Sequence, residues 1–129
     1  MEKKTWITLA LTLKKDNDNP QEIMGAVSLK LCLAHQRAEL AYWLVMPYWN
    51  AGHMTEAARA LVEYGFDKLH LNRIEAGHYR TNPASGRVMQ KIGMQYEGTH
   101  RQHTLRFGQF EDRLVCGLLA SDWKLKKQQ

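Results

Sequence analysis

The stretch Trp49-Asn50-Ala51-Gly52-His53-Met54-Thr55-Glu56-Ala57 joins a hydrophobic strand to an amphipathic helix through a turn whose helix start is a ready anion site. Upstream, Leu40, Tyr42, Leu44 and Met46 alternate with Ala41, Trp43 and Val45. That mostly apolar, period-2 pattern predicts a strand with both faces largely covered, ended by Pro47. Downstream, Met54, Ala57, Ala58, Leu61, Val62 and Phe66 recur at helical spacing, so a helix is expected from about His53 to Phe66 with one buried stripe. The first amide N–H groups of that helix have no intrahelical acceptors. Gly52, lacking a Cβ, lets backbone and anion come close. Free amides and the positive end of the helix dipole together favour a phosphate or pyrophosphate.

The rest of the chain orders itself around this unit. Thr5 to Leu13 reads as a strand, Lys14 to Pro20 as a polar turn, and Glu22 to Leu33 as a second strand with Val27, Leu29, Leu31 and Leu33 on one face. The chain then reverses at His35-Gln36-Arg37 into the third strand. Lys68 to Tyr79 is expected to be a strand parallel to the third, because a strand-helix-strand unit of this length crosses over right-handed. A second helix is punctuated by Asn82 as N-cap, Pro83 at its first position and Gly93 after Ile92. Tyr96 to Leu105 and Phe110 to Leu119 form a closing hairpin around Phe107-Gly108-Gln109.

At 129 residues, with 44% hydrophobic and 24% charged residues, the chain is expected to be a single domain with one core. Cys32 and Cys116 have no CxxC partner spacing, which argues against a zinc ribbon or disulfide framework and fits a reducing cytoplasm. The apolar run after Lys4 alternates like a strand and lacks a cleavage site, and no run reaches the roughly 18 apolar residues of a membrane helix. The net charge of +5 is scattered except in Lys124-Leu125-Lys126-Lys127, which reads as a solvated tail rather than a nucleic-acid patch. The six histidines lack Cys or carboxylate partners at zinc-site spacing, so no metal is expected.

The chain contains neither G-x-G-x-x-G nor G-x-x-x-x-G-K-[ST], which points away from a dinucleotide or P-loop site. The turn instead resembles the acyl-CoA signature of the GNAT acetyltransferases, Gln/Arg-x-x-Gly-x-Gly/Ala, with its glycine at Gly52. Trp49 stands where the broad pattern has Gln or Arg, as in many RimJ/RimL-like chains, and Met54 where it has Gly or Ala. Three further segments resemble that RimJ/RimL-like branch: Ala38-Glu39-Leu40-Ala41-Tyr42-Trp43-Leu44, Asn82-Pro83-Ala84-Ser85 followed by Lys91-Ile92-Gly93-Met94, and Gly108-Gln109-Phe110-Glu111-Asp112. The resemblance covers about residues 22 to 123.

It implies an α/β (α+β) fold with a mixed central sheet and helices packed on it, beginning about where the family's second strand lies. A homodimer that covers the exposed flank is then expected. It also implies acetyl-CoA as co-substrate and direct transfer of the acetyl group to an amine without a covalent enzyme intermediate. Leu44, Val45 and Met46, where the parallel strands part, and Asn50, Ala51, Gly52, His53, Met54 and Thr55 at the turn would hold the cofactor, with Asn82 on the pantetheine arm. A backbone N–H at the strand end would polarise the thioester carbonyl. Many family members place a tyrosine on the helix after the family asparagine to protonate the thiolate; here that position is Met89. Ser85 takes the role that a serine has in RimJ/RimL-like enzymes, at the CoA sulfur.

Glu39 matches a family carboxylate and is the candidate base. A second family glutamate has Thr104 in its place, beside His103. A lysine side chain costs about 4 kcal/mol to deprotonate at neutral pH, an α-amine about 1. A weak base therefore favours an N-terminal α-amine, for example of a ribosomal protein, or another weakly basic small amine. The alternative expectation is a non-catalytic acyl-CoA-binding module with a regulatory or assembly role.

Overall fold

The computed structural model describes residues 5–12, 23–44 and 52–127. Six strands form one mixed sheet: β1 (Thr5–Thr12), β2 (Ile23–Cys32), β3 (Arg37–Leu44), β4 (Arg73–Tyr79), β5 (Gln95–Arg106) and β6 (Gln109–Leu119), in the spatial order β1-β2-β3-β4-β6-β5. Three α-helices accompany it: α1 (His53–Asp67), α2 (Pro83–Ile92) and α3 (Ala120–Lys127). Among the described residues only β3 and β4 run parallel, joined by the α1 crossover that the sequence predicts. The other four pairings are antiparallel.

The core lies between the helices and one face of the sheet. Val27, Leu29 and Leu31 of β2, Ala38 and Leu40 of β3, Ile74 and Ala76 of β4, and Cys116 and Leu118 of β6 point into it. Against them α1 lays Met54, Ala58, Leu61, Val62 and Phe66, and α2 lays Met89 and Ile92. Burying a side chain such as Leu29 or Leu61 stabilises the fold by roughly 1.5–3 kcal/mol. The two helices touch, and Arg59 Nη2 of α1 donates to the Lys91 carbonyl at 3.0 Å, satisfying one acceptor of the last turn of α2.

Three expectations are corrected. Leu33 leaves the face of its strand for a short 3-10 turn over Leu33–His35 and is exposed, because Gln36 must take a left-handed φ of 51° to reverse the chain. The third strand is not covered on both sides: Leu40 is buried, but Ala41 and Trp43 face outward and Trp43 is 56% exposed. No described helix packs on that face. Finally, the basic segment is helical and not a loose tail: Lys124 and Leu125 are solvent-exposed, but Trp123 is buried with its ring 5.8 Å from that of Phe66 and fixes α3 to the core. The Lys14–Pro20 turn lies outside the described residues.

Candidate functional site

Gly52 caps α1 in the left-handed region, with φ 79°, and its carbonyl accepts the Glu56 amide at 3.0 Å. Any other residue would pay for that conformation. Among the described residues no heavy atom lies within 4 Å of where a Cβ would sit. The amides of His53, Met54 and Thr55 precede the first possible intrahelical bond and are therefore offered outward. The Met54 side chain is buried in the core, which absorbs its departure from the Gly/Ala pattern and leaves its amide in place. Of the other predicted cofactor residues, Val45, Met46, Asn50 and Ala51 lie outside the described residues. Leu44 is the last residue of β3, paired with Gly25.

Parallel strands β3 and β4 pair from Arg37↔Arg73 to Leu40↔Ala76 and then part. The gap opens at Ala41 and Gly77, earlier than the expected Leu44 to Met46, although β3 stays paired with β2 as far as Leu44. Unpaired backbone groups on the inner edges of such a gap are available to an extended ligand.

On the helix side the gap is bordered by α2. Asn82 caps it as predicted: Oδ1 accepts the Ser85 amide at 3.3 Å, and Pro83 follows. The predicted Ser85 does not stand alone. Tyr42 of β3 donates from Oη to the Ser85 carbonyl at 2.6 Å, and Ser85 Oγ donates to the same Oη at 3.1 Å. Burial pushes the Tyr42 phenol up to about 12, against a smaller opposing effect of the Ser85 bond, so it remains a neutral donor at working pH. Nearby, the His78 ring leans on Gly86, where a Cβ would come within 2.7 Å of Nε2, and Nδ1 is 2.9 Å from the Tyr79 carbonyl oxygen. Met89 is buried beneath, in keeping with its inability to serve as an acid.

Opposite, on the face without a described helix, Glu39 points outward. Its Oε1 accepts from Arg113 Nη2 at 2.9 Å. The guanidinium reaches Glu39 by lying directly over Gly77, whose missing side chain is the room it occupies. The Glu39 side chain remains 44% exposed beside this ion pair. Farther along this face Arg73 bonds Glu97 and Glu75, and it holds the Glu97 carboxyl below the usual carboxylate range.

The Gly108–Asp112 segment resembling the family turns out to anchor the turn ahead of α2. Glu111 accepts from Thr81 Oγ1 and Arg106 Nη1, both at 2.8 Å, while Asp112 accepts the Gln102 amide at 2.9 Å and Arg80 Nε at 3.4 Å. The turn that presents Asn82 is therefore pinned to the β5–β6 hairpin. Thr104 bonds its neighbour His103 at 2.8 Å. Among the described residues no group of three or more His, Cys, Asp or Glu side chains is placed to hold a metal, and no helix is long and apolar enough to cross a membrane.

Sequence reading missed Tyr42 and Arg113 because each acts through a residue on another element. Gly77 carried the one available signal, since an isolated glycine inside a strand marks close approach.

Comparison with known proteins agrees with this geometry. Residues 1–95 match the acetyltransferase (GNAT) domain family. The chain is similar to the probable N-acetyltransferase YjcK of Bacillus subtilis, 39% identical over 78% of this chain and 56% of that protein. It is 30% identical to the [ribosomal protein uS5]-alanine N-acetyltransferase of Escherichia coli, over 65% of this chain and 43% of that one. Among solved structures, one titled a probable acetyltransferase superposes with a TM-score of 0.76 at 31% identity, over 78% of this chain and 58% of that one. A spermidine N-acetyltransferase SpeG mutant from Vibrio cholerae shares the fold with a TM-score of 0.81 at 18% identity, over 96% and 70%. The chain spans about half the length of the curated relatives it matches.

Proposed function

The chain belongs to the GNAT acetyltransferase family, and from that premise we propose that it transfers an acetyl group from acetyl-CoA to a primary amine by direct attack on the thioester. The observation that carries this reading is the gap between β3 and β4 past Leu40 and Ala76. It has the helix start at Gly52 at one side and the Asn82–Ser85 turn at the other. The diphosphate of CoA would take the amides of His53, Met54 and Thr55; Asn50 and Ala51, outside the described residues, are proposed as further contacts. The pantetheine arm would run along the unpaired edge of β3 toward Leu44, Val45 and Met46, within reach of Asn82.

Ser85 supplies the hydrogen bond to the leaving thiolate. Its hydroxyl turns from Tyr42 to the sulfur at the cost of one neutral hydrogen bond, while Tyr42 keeps its bond to the Ser85 carbonyl and holds the turn in place. Glu39, whose side chain is 44% exposed beside Arg113, receives the amine proton. A base so placed suits a weakly basic α-amine, of a protein N-terminus or a small molecule, better than a lysine side chain. A homodimer that packs on the β1 flank of the sheet, where Trp6 is exposed, completes the proposal.

Release of free thiol from acetyl-CoA across a panel of amines tests it, with Ser85→Ala as control. Turnover on α-amines that Ser85→Ala slows at least tenfold supports the assignment. Saturable acetyl-CoA binding with no thiol release from any amine supports instead a non-catalytic acyl-CoA-binding module, a reading favoured by the engagement of Glu39 with Arg113.

A further inference from the structure

Arg113 is unusually placed for a residue with only a structural task. It belongs to β6, where it pairs with Tyr79 at the far end of β4, yet its side chain runs back across β4 to a glutamate 74 residues earlier in the chain. The path exists only because residue 77 is glycine. Gly77 is also the first residue of β4 beyond its last pairing with β3. The guanidinium therefore sits at the outer mouth of the gap, beside the carboxylate proposed to receive the amine proton.

Its charge and shape fit a definite acceptor. A guanidinium offers five N–H donors in one plane, and the single bond that Arg113 makes among the described residues, to Glu39, uses one of them. A carboxylate and a guanidinium held 2.9 Å apart present, side by side, an acceptor for N–H and a set of donors for an oxygen. The complementary fragment is an amine with a carbonyl oxygen on the adjacent carbon. A hollow of about 170 Å3 on the other flank of Glu39, lined in part by Lys30, Cys32, Arg37 and Glu75, gives room for the rest of such a molecule. A polyamine supplies no oxygen, and its second cation would be repelled by Arg113.

Resting on the transferase reading above, we propose that Arg113, seated on Gly77, determines acceptor specificity by binding the carbonyl oxygen beside the amine, which selects an α-aminoacyl group over a plain alkylamine or polyamine. A site built to bond a substrate oxygen rejects the analogue that lacks it, because its own donors are then left unmatched.

The test compares kcat/KM for alaninamide and for isopropylamine, which replaces the carboxamide by a methyl group, in the wild type, Arg113→Gln and Gly77→Ala. Comparing this ratio between wild type and variant cancels the difference in basicity of the two amines, which is common to all three proteins. The alaninamide-to-isopropylamine ratio is expected to fall roughly 10- to 100-fold in Arg113→Gln, the loss of a hydrogen bond to a charged donor, mostly through KM. Gly77→Ala should reproduce the fall by displacing the guanidinium, and circular dichroism checks that both variants are folded. An unchanged ratio, or equal losses on both amines, overturns the proposal and reduces Arg113 to a support for Glu39. Should the wild type release no thiol with any amine, the transferase reading fails by itself. Ligand line broadening in the presence of CoA then decides the inference separately: alaninamide binding that Arg113→Gln abolishes supports it, and binding that Arg113→Gln leaves intact overturns it.

Discussion

Tyr42→Phe removes one oxygen and, with it, both hydrogen bonds that tie β3 to the first turn of α2. Each neutral bond contributes a net of about 0.5–1.5 kcal/mol. The Ser85 carbonyl keeps its helical backbone donor and the half-buried Ser85 hydroxyl can turn to water, so neither is stranded. The expected loss is therefore toward the lower part of the sum, about 1–2 kcal/mol. Ser85→Ala deletes only the longer bond and leaves Tyr42 donating to the carbonyl, so it should cost less, about 0.5–1 kcal/mol.

The double variant completes a cycle whose coupling term isolates the Oγ–Oη bond at about 0.5–1 kcal/mol. Urea unfolding followed by far-UV circular dichroism measures all four proteins, with unchanged slopes as the check on two-state behaviour. The pH dependence has a fixed sign. Because the phenol is raised from 10.0 to about 12 in the folded protein, its contribution is full below pH 10 and is lost as pH climbs through that interval. Tyr42→Phe should thus be equally destabilised at pH 6 and pH 9. Wild-type stability in Tyr42→Phe, or a coupling of zero, would refute the claim that this hydroxyl positions Ser85.

Gly52→Ala should cost about 1–2 kcal/mol in the same unfolding assay, since the new Cβ meets no heavy atom of the described residues and only the left-handed backbone is penalised. It should also weaken acetyl-CoA binding by calorimetry, through crowding of the diphosphate; unchanged affinity would move the phosphates elsewhere. Glu97→Gln removes a carboxylate whose acid strength is raised by Arg73. The depressed folded value means that the ion pair stabilises above the ordinary carboxylate range and is lost as pH falls through it, so the variant should show a shallower decline of stability between about pH 5 and 2. An acid limb identical to the wild type would show that the pair contributes nothing measurable.

What could be read from the sequence was local. The α1 stripe from Met54 to Phe66 and the Asn82-Pro83 to Gly93 frame of α2 depend on spacing within one turn or on caps, and both stand as expected. The strand pattern around Leu40 was right about the buried residues but silent about which face is covered, because coverage of Ala41 and Trp43 depends on elements far along the chain. The parting of β3 from β4 is set by register, so the sequence places it only near the strand end, at Leu44 to Met46, and not at Ala41. Tyr42 with Ser85, and Arg113 with Glu39, are joined across 43 and 74 residues, a range over which periodicity carries no information. The helix at Ala120–Lys127 was obscured by its lysines, although Trp123 held the information that decides it.

The central claim is that CoA lies with its diphosphate on the start of α1 and its arm in the gap between β3 and β4. Amide chemical-shift mapping of the isotopically labelled protein titrated with acetyl-CoA tests this most directly. The largest changes are expected at Gly52, His53, Met54 and Thr55, along Ala41 to Leu44, and at Asn82 to Ser85. Shifts confined to the basic helix α3, or absent from Gly52 to Thr55 at saturation, would contradict it.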